Sequence, residues 1–236
     1  MKSVGRLYGL GIGPGDPELI TLKALRLLRS AAVVAYPISE KNQQSLARSI
    51  VQEYIKPEQI EVPLYFPFKL ELSSQPYYDK AAETLAEHLK LGQDVVVLCE
   101  GDPFFYGTFM YIYNRLVDRF PTEVVPGVSS IMASGAALGV PLTYRNDVFV
   151  VLSAILPAEV LKAKLVVADA AVIIKLGRHF EKVIGVLKEL GLYDRAKYIE
   201  KATMPDRQII AIEKVNSAEV PYFSTIVIPS QWRSDN

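Results

Sequence analysis

One cysteine, Cys99, is the whole thiol content of the 236-residue chain, so no internal disulfide can form and a reducing compartment suits it. The two histidines, His88 and His179, are too few to build a His/Cys zinc set, and no metal is expected. An excess of charge of either sign is also missing. Lysine plus arginine equals aspartate plus glutamate at 26 each, which gives none of the basic field that recruits nucleic acid. No apolar run approaches the roughly 18 residues that a membrane span requires. The apolar stretch behind Met1 to Arg6 is broken by Gly9, Gly11, Gly13 and Pro14, so it holds no signal-peptide core. A cytoplasmic protein without a nucleic-acid or membrane partner is expected.

Half of the residues are hydrophobic, enough for a sizeable core and incompatible with disorder. The chain opens strand, loop, helix: an apolar run at 7–11 ends in glycines, and leucines recur at helical spacing over 21–28. Strands are expected at 32–36, 60–65, 94–99 and 123–125, and helices at 43–54, 77–91, 105–118 and 129–138. Such βαβ alternation implies a largely parallel sheet with helices on its faces. The polar, Gly- and Pro-containing stretch 138–147 marks a boundary, giving domains 1–140 and 141–236. The second holds strands at 148–152, 172–176, 197–200, 208–213 and 222–228 and helices at 158–167 and 180–190. With little helix between its last three strands, its sheet should be mixed. The tail 230–236 reads as loose.

Three loops carry the chemistry. GLGIGPGDP, residues 9–17, has four glycines in nine residues, which frees the backbone to approach a ligand or adopt positive φ. The dinucleotide pattern G-x-G-x-x-G fits no register, since it meets Pro14 from Gly9 and Asp16 from Gly11, and no Gly-Lys-Ser/Thr follows. Asp16 either serves the ligand or caps the loop and the helix after it. CEGDPFFYG, residues 99–107, leaves a continuous β-branched strand. Its Asp102 reads as an acceptor and Phe104, Phe105 and Tyr106 as an apolar wall, with a capped helix entry and core aromatics as the alternative. VPGVSS, residues 125–130, repeats strand, glycine, helix, and Ser129 and Ser130 either bind a ligand or cap the helix. The first two loops both leave the carboxyl ends of strands, where ligands of parallel sheets collect, so the two can face one pocket.

Together the three loops resemble the tetrapyrrole methylase family in order and spacing along essentially the whole chain. That resemblance implies two α/β domains with an active-site cleft between them, S-adenosylmethionine as methyl donor with S-adenosylhomocysteine as product, a tetrapyrrole substrate and a homodimer. Carried over residue by residue, it places Pro14, Gly101, Asp102, Pro103 and Tyr106 at the cofactor, with Ser129 and Ser130 where many relatives have Thr-Ala. Leu176 before Gly177, and Ala202 in Glu-Lys-Ala-Thr, would pack on its adenine and ribose. AYP at 35–37, YGTFMYIY at 106–113 and VPYFSTIVIP at 220–229 are similar to the precorrin-2 C20-methyltransferases, which implies precorrin-2 or cobalt-precorrin-2 as substrate in cobalamin biosynthesis. Thr108, Phe109 and Met110 differ from the Arg-Gly-Gly of the uroporphyrinogen-III relatives.

Methyl transfer from a sulfonium to carbon asks the protein to align donor and nucleophile and to exclude water. It needs no protein nucleophile, which suits a chain whose candidates are His88, His179 and Cys99. No catalytic residue is assigned; Glu100 and Asp102 are conceivable proton acceptors. Arg145, Lys175, Arg178, Lys201 and Arg207 are candidates to meet substrate carboxylates, as any solvated loop would also offer. Another precorrin methylase and a non-catalytic tetrapyrrole carrier are the alternatives. A dinucleotide enzyme would require an acidic residue at the end of strand two, where AYP stands and Glu40 comes only later.

Overall fold

The computed structural model describes residues 3–39, 44–67 and 74–231, so the Glu40 position and the tail beyond 231 lie outside it. Two compact units divide the chain, Met1–Ser129 and Ser130–Asn236.

The first unit is a five-stranded, all-parallel sheet of β1 (Leu7–Gly11), β2 (Val33–Ser39), β3 (Ile60–Phe66), β4 (Val95–Cys99) and β5 (Thr122–Val125), in the order β3-β2-β4-β1-β5. β4, Val-Val-Val-Leu-Cys, is buried at every position, as a strand covered on both faces must be. On one face α1 (Leu22–Ser30) and α2 (Leu46–Ile50) place Leu27, Leu28, Ala47 and Ile50 against Leu10, Val34, Val96 and Leu98. On the other, α3 (Gln75–Lys90) and α4 (Phe109–Leu116) place Leu85, Leu89, Ile112 and Leu116 against Leu7, Val33, Val95 and Val97.

Three local expectations shift. The strand expected over 32–36 runs on through Pro37 to Ser39, because pairing with β4 ends at Ala35 and the missing Pro37 N–H has no partner to serve on that side. The helix expected over 43–54 is a five-residue helix followed by a 3-10 turn at Gln52–Tyr54. The helix expected from Phe105 begins at Phe109, because Tyr106 sits at φ 55° and Gly101 at φ 66°, which keeps this stretch as loop.

The second unit carries a mixed sheet of β6 (Phe149–Ser153), β7 (Ala170–Ile174), β8 (Lys197–Glu200), β9 (Gln208–Ile210) and β10 (Ser224–Ile228), ordered β6-β7-β10-β8-β9. β6 and β7 are parallel and the other pairs antiparallel. The strand expected over 208–213 ends at Ile210 and turns into a 3-10 segment, Ile212–Lys214. α6 (Ala158–Leu165) and α7 (Phe180–Glu189) cover one face, and α5 (Ser130–Leu138) packs Ile131 on Val172 and Val227 of the other. That contact groups α5 with the second unit, whereas the sequence reading placed it before a boundary at 140. Among the described residues no helix is long and apolar enough to cross a membrane.

Candidate functional site

Strand order in the first unit creates an opening at one place. From β1 the chain crosses through α1 on one face to β2, and from β4 it crosses through α4 on the other face to β5. β1 and β4 are neighbours, so the loops that leave their carboxyl ends diverge to opposite faces and open a crevice between them. The Gly-rich loop after β1 and the Glu-Gly-Asp-Pro loop after β4 are the two loops concerned.

Glycine lets these loops meet main chain to main chain. Ile12 N–H donates to the Cys99 carbonyl at 3.0 Å and Gly101 N–H to the Gly13 carbonyl at 2.8 Å, so the two strands are continued as a bridge into the loops. The loop after β5 closes on the same point. A Cβ on Gly127 would lie 2.0 Å from the Gly101 carbonyl oxygen, and one on Gly11 would lie 2.4 Å from Gly127 N. Only glycine permits three backbones at that spacing. Pro14 is buried between Gly13 at φ 85° and Gly15 at φ 147°.

Asp102 ties two of the loops together. One carboxylate oxygen accepts from Phe104 N–H at 2.9 Å and the other from Gly127 N–H at 3.1 Å. The side chain is thus engaged in shaping the loops. Asp16 accepts from Glu18 N–H at 2.8 Å and caps the 3-10 turn Pro17–Leu19, the capping alternative of its two readings. Past Pro103 the aromatic segment is exposed: Phe104, Phe105 and Tyr106 stand out at 47%, 39% and 47%, and Phe105 meets Tyr106 edge to face at 5.0 Å. Tyr106 holds a left-handed backbone, an unfavourable conformation for a residue with a Cβ. Ser129 follows the Gly127 turn, and Ser130 opens α5, where its carbonyl accepts from Ser134 Oγ at 2.7 Å.

Leu176 and Ala202 belong to the second unit. β7 and β8 both run antiparallel to β10, with Ile174 opposite Thr225 and Glu200 opposite Ser224, so the residues that follow the two strands emerge at one edge of that sheet. Leu176 and Ala202 are both buried there, and each is preceded by a lysine with positive φ, Lys175 at 61° and Lys201 at 48°. Burial pushes the Lys175 ammonium below its usual pKa. Lys201 is paired with Asp206, while Arg145, Arg178 and Arg207 are exposed.

The groups considered for covalent work have other settings. Cys99 is buried and burial holds its thiol neutral, well above its ordinary pKa. His88 contacts Gln93 at 2.7 Å through Nδ1, and His179 has its pKa lowered by desolvation, then by Lys182 and Arg178. Glu100 is different. Its carboxylate accepts from the Ala47 N–H of α2, and desolvation outweighs that bond and one from its own N–H to push its pKa upward. Beside it Arg48 donates to Glu61 through Nε at 2.5 Å and Nη2 at 2.9 Å, and the Tyr36 hydroxyl joins the pair. The sequence carried no signal for this trio, whose members stand on β2, α2 and β3. Among the described residues no group of His, Cys, Asp and Glu is arranged for a metal ion.

Comparison with known proteins agrees with this geometry. The model of the Tetrapyrrole (Corrin/Porphyrin) Methylases matches residues 6–218. The chain is 38% identical to a precorrin-2 C(20)-methyltransferase of Sinorhizobium sp, over 98% of this chain and 97% of that protein. It is 40% identical to the cobalamin biosynthesis protein CobIJ of Mycobacterium tuberculosis over 99% of its own length, and spans about half, 47%, of that protein. Among solved structures, the uroporphyrin-III C-methyl transferase of Thermus thermophilus complexed with S-adenyl homocysteine is similar at TM-score 0.68 and 30% identity, covering 94% of this chain and 97% of that one.

Proposed function

Because the chain belongs to the tetrapyrrole (corrin/porphyrin) methylase family, we propose that it transfers a methyl group from S-adenosylmethionine to C20 of precorrin-2 or cobalt-precorrin-2, a step of cobalamin biosynthesis. The observation that carries the reading is the convergence of the three glycine loops at the crevice between β1 and β4. End-to-end likeness to a precorrin-2 C(20)-methyltransferase supports the choice of substrate and carbon.

The residues present fit a nucleoside sulfonium. Backbone cleared of side chains at Gly11, Gly101 and Gly127 allows close main-chain approach to a ligand, and Pro14, Pro103 and Tyr106 flank those glycines in the loops. S-adenosylmethionine supplies an electrophilic methyl. The chain's part is to hold and orient: Pro14, Gly101, Asp102, Pro103, Tyr106, Ser129 and Ser130 are the proposed contacts, joined by Leu176 and Ala202 of the second unit. The neutral, buried Cys99 thiol takes no covalent role, in keeping with a direct displacement. A dry, preoriented site raises the rate by alignment and by denying the dispersing charge its hydration. A homodimer in the cytoplasm completes the proposal.

The test is anaerobic incubation of the purified protein with S-adenosylmethionine and enzymatically made precorrin-2, with and without cobalt, read by mass spectrometry and by NMR of labelled product. One added methyl at C20 is expected, and the preferred metal state selects the pathway. Transfer to another carbon would replace the assigned substrate position. Binding of the tetrapyrrole with no transfer and no S-adenosylhomocysteine affinity would make the protein a carrier.

A further inference from the structure

We propose that Glu100 is the base of the methyl transfer: its carboxylate takes the proton that the ring carbon sheds on methylation. The proposal rests on the methyltransferase reading above.

Glu100 follows Cys99, the last residue of β4, and precedes Gly101, whose N–H is bound to Gly13, so it stands on the rim of the crevice. Leu98, two residues earlier, packs in the layer of α1 and α2, and strand alternation puts Glu100 on that same side, where it reaches Ala47 N–H. The carboxyl is desolvated, while the residue as a whole keeps intermediate exposure. A buried structural carboxylate is ordinarily matched by a cation. Among the described residues no lysine or arginine pairs with Glu100: the cation next to its partner on α2, Arg48, is committed to Glu61 and Tyr36. The titratable neighbours on its own strand and loop are Cys99, held neutral by burial, and Asp102, whose two oxygens each receive a backbone N–H. Asp16, on the loop from β1, caps Glu18. What remains is a carboxylate of raised basicity and no ion-pair duty at the mouth of the proposed site, the setting in which a carboxylate serves as general base.

The step balances. The electron pair of the meso carbon forms the new C–C bond while the S–CH3 bond breaks and its pair stays on sulfur. The C–H bond at that carbon then breaks, its pair re-enters the ring conjugation, and the proton forms an O–H bond on Glu100. The resulting carboxylic acid is the form that desolvation favours.

Glu100→Gln keeps the volume and an oxygen for Ala47 N–H. Calorimetric affinity for S-adenosylhomocysteine should stay within about threefold of wild type; absence of binding in both proteins would refute the cofactor reading and the base role that rests on it, whereas binding by both with an unchanged rate would refute the base role alone. In single-turnover stopped-flow, formation of the final methylated chromophore should slow by about a hundredfold or more, or a methylated ring that retains its meso hydrogen, and so has interrupted conjugation, should accumulate. The acid limb of the wild-type rate profile should vanish. Glu100→Asp, which keeps a carboxylate, should retain that limb at reduced rate and serves if the glutamine variant folds poorly. The unliganded protein gives an independent readout. A pKa raised by folding favours the native state below the ordinary glutamate value, and that advantage is lost as pH rises through the folded value. The melting temperature of Glu100→Gln relative to wild type should therefore climb between pH 4 and pH 8, by roughly 3–5 °C for each unit by which folding raises the pKa. A pH-independent difference overturns the proposal. So does a rate within threefold of wild type with no interrupted chromophore and the acid limb intact.

Discussion

Replacing Gly127 by alanine tests whether the crevice is built from backbone contact. The added Cβ would sit 2.0 Å from the Gly101 carbonyl oxygen and 2.7 Å from Gly11 Cα, and Cβ atoms essentially never approach closer than 3.0 Å. The Gly101 peptide must therefore retreat by about 1 Å, and neither obstacle is a flexible side-chain end that can swing aside. Such a shift pulls on the 2.8 Å bond from Gly101 N–H to Gly13 and on the 3.1 Å bond from Gly127 N–H to Asp102. One neutral and one charge-assisted hydrogen bond, with the strain of overpacking, amount to about 2–5 kcal/mol. Gly185→Ala is the control: it lies exposed within α7, nothing stands within 4 Å of its added Cβ, and it should gain about 0.5–1 kcal/mol from helix propensity. Urea unfolding of both variants gives the stabilities and calorimetry the S-adenosylhomocysteine affinity. Gly127→Ala should lose stability and at least tenfold in affinity while Gly185→Ala keeps its affinity. If Gly127→Ala unfolds within about 0.5 kcal/mol of wild type and binds normally, the three loops do not meet as described.

Asp102→Asn keeps one acceptor for Phe104 or Gly127 but turns an NH2 toward the other N–H, and should cost about 1–3 kcal/mol in urea unfolding together with cofactor affinity. Tyr106→Gly suits the backbone at φ 55° and should leave stability within about 1 kcal/mol, while loss of the ring weakens S-adenosylhomocysteine binding, roughly fivefold for an aromatic contact of about 1 kcal/mol; unchanged affinity would remove Tyr106 from the site. Arg48→Met leaves Glu61 without the guanidinium that chiefly holds its carboxyl below the usual range. Both side chains are partly exposed, so the cost at neutral pH should be only about 1 kcal/mol. That contribution is present above the ordinary glutamate pKa and lost as pH falls through the lowered folded value, so unfolding curves of wild type and variant should converge in acid.

Alternating strand and helix signals, and the buried Val-Val-Val-Leu-Cys run, made a parallel first sheet and a mixed second one legible, because hydrophobic periodicity records which face each segment buries. The glycine loops were legible for a related reason, since four glycines in nine residues have no use in an ordinary turn. Their partners were not. That Gly127 fits against Gly101 and Gly11, or that Asp102 spends both oxygens on N–H groups, depends on β1 lying between β4 and β5, and strand order leaves no trace in a local pattern. The same limit governed α5, whose small apolar residues gave the helix but not the sheet that receives Ile131. Glu100 shows the division most plainly. Composition and order named a glutamate before a glycine; only the packing of α2 over β4, with no cation among the described residues to answer it, made that carboxyl desolvated and basic. Segment type follows from residues near in sequence, while the electrostatic character of a side chain is set by groups that the fold brings from elsewhere.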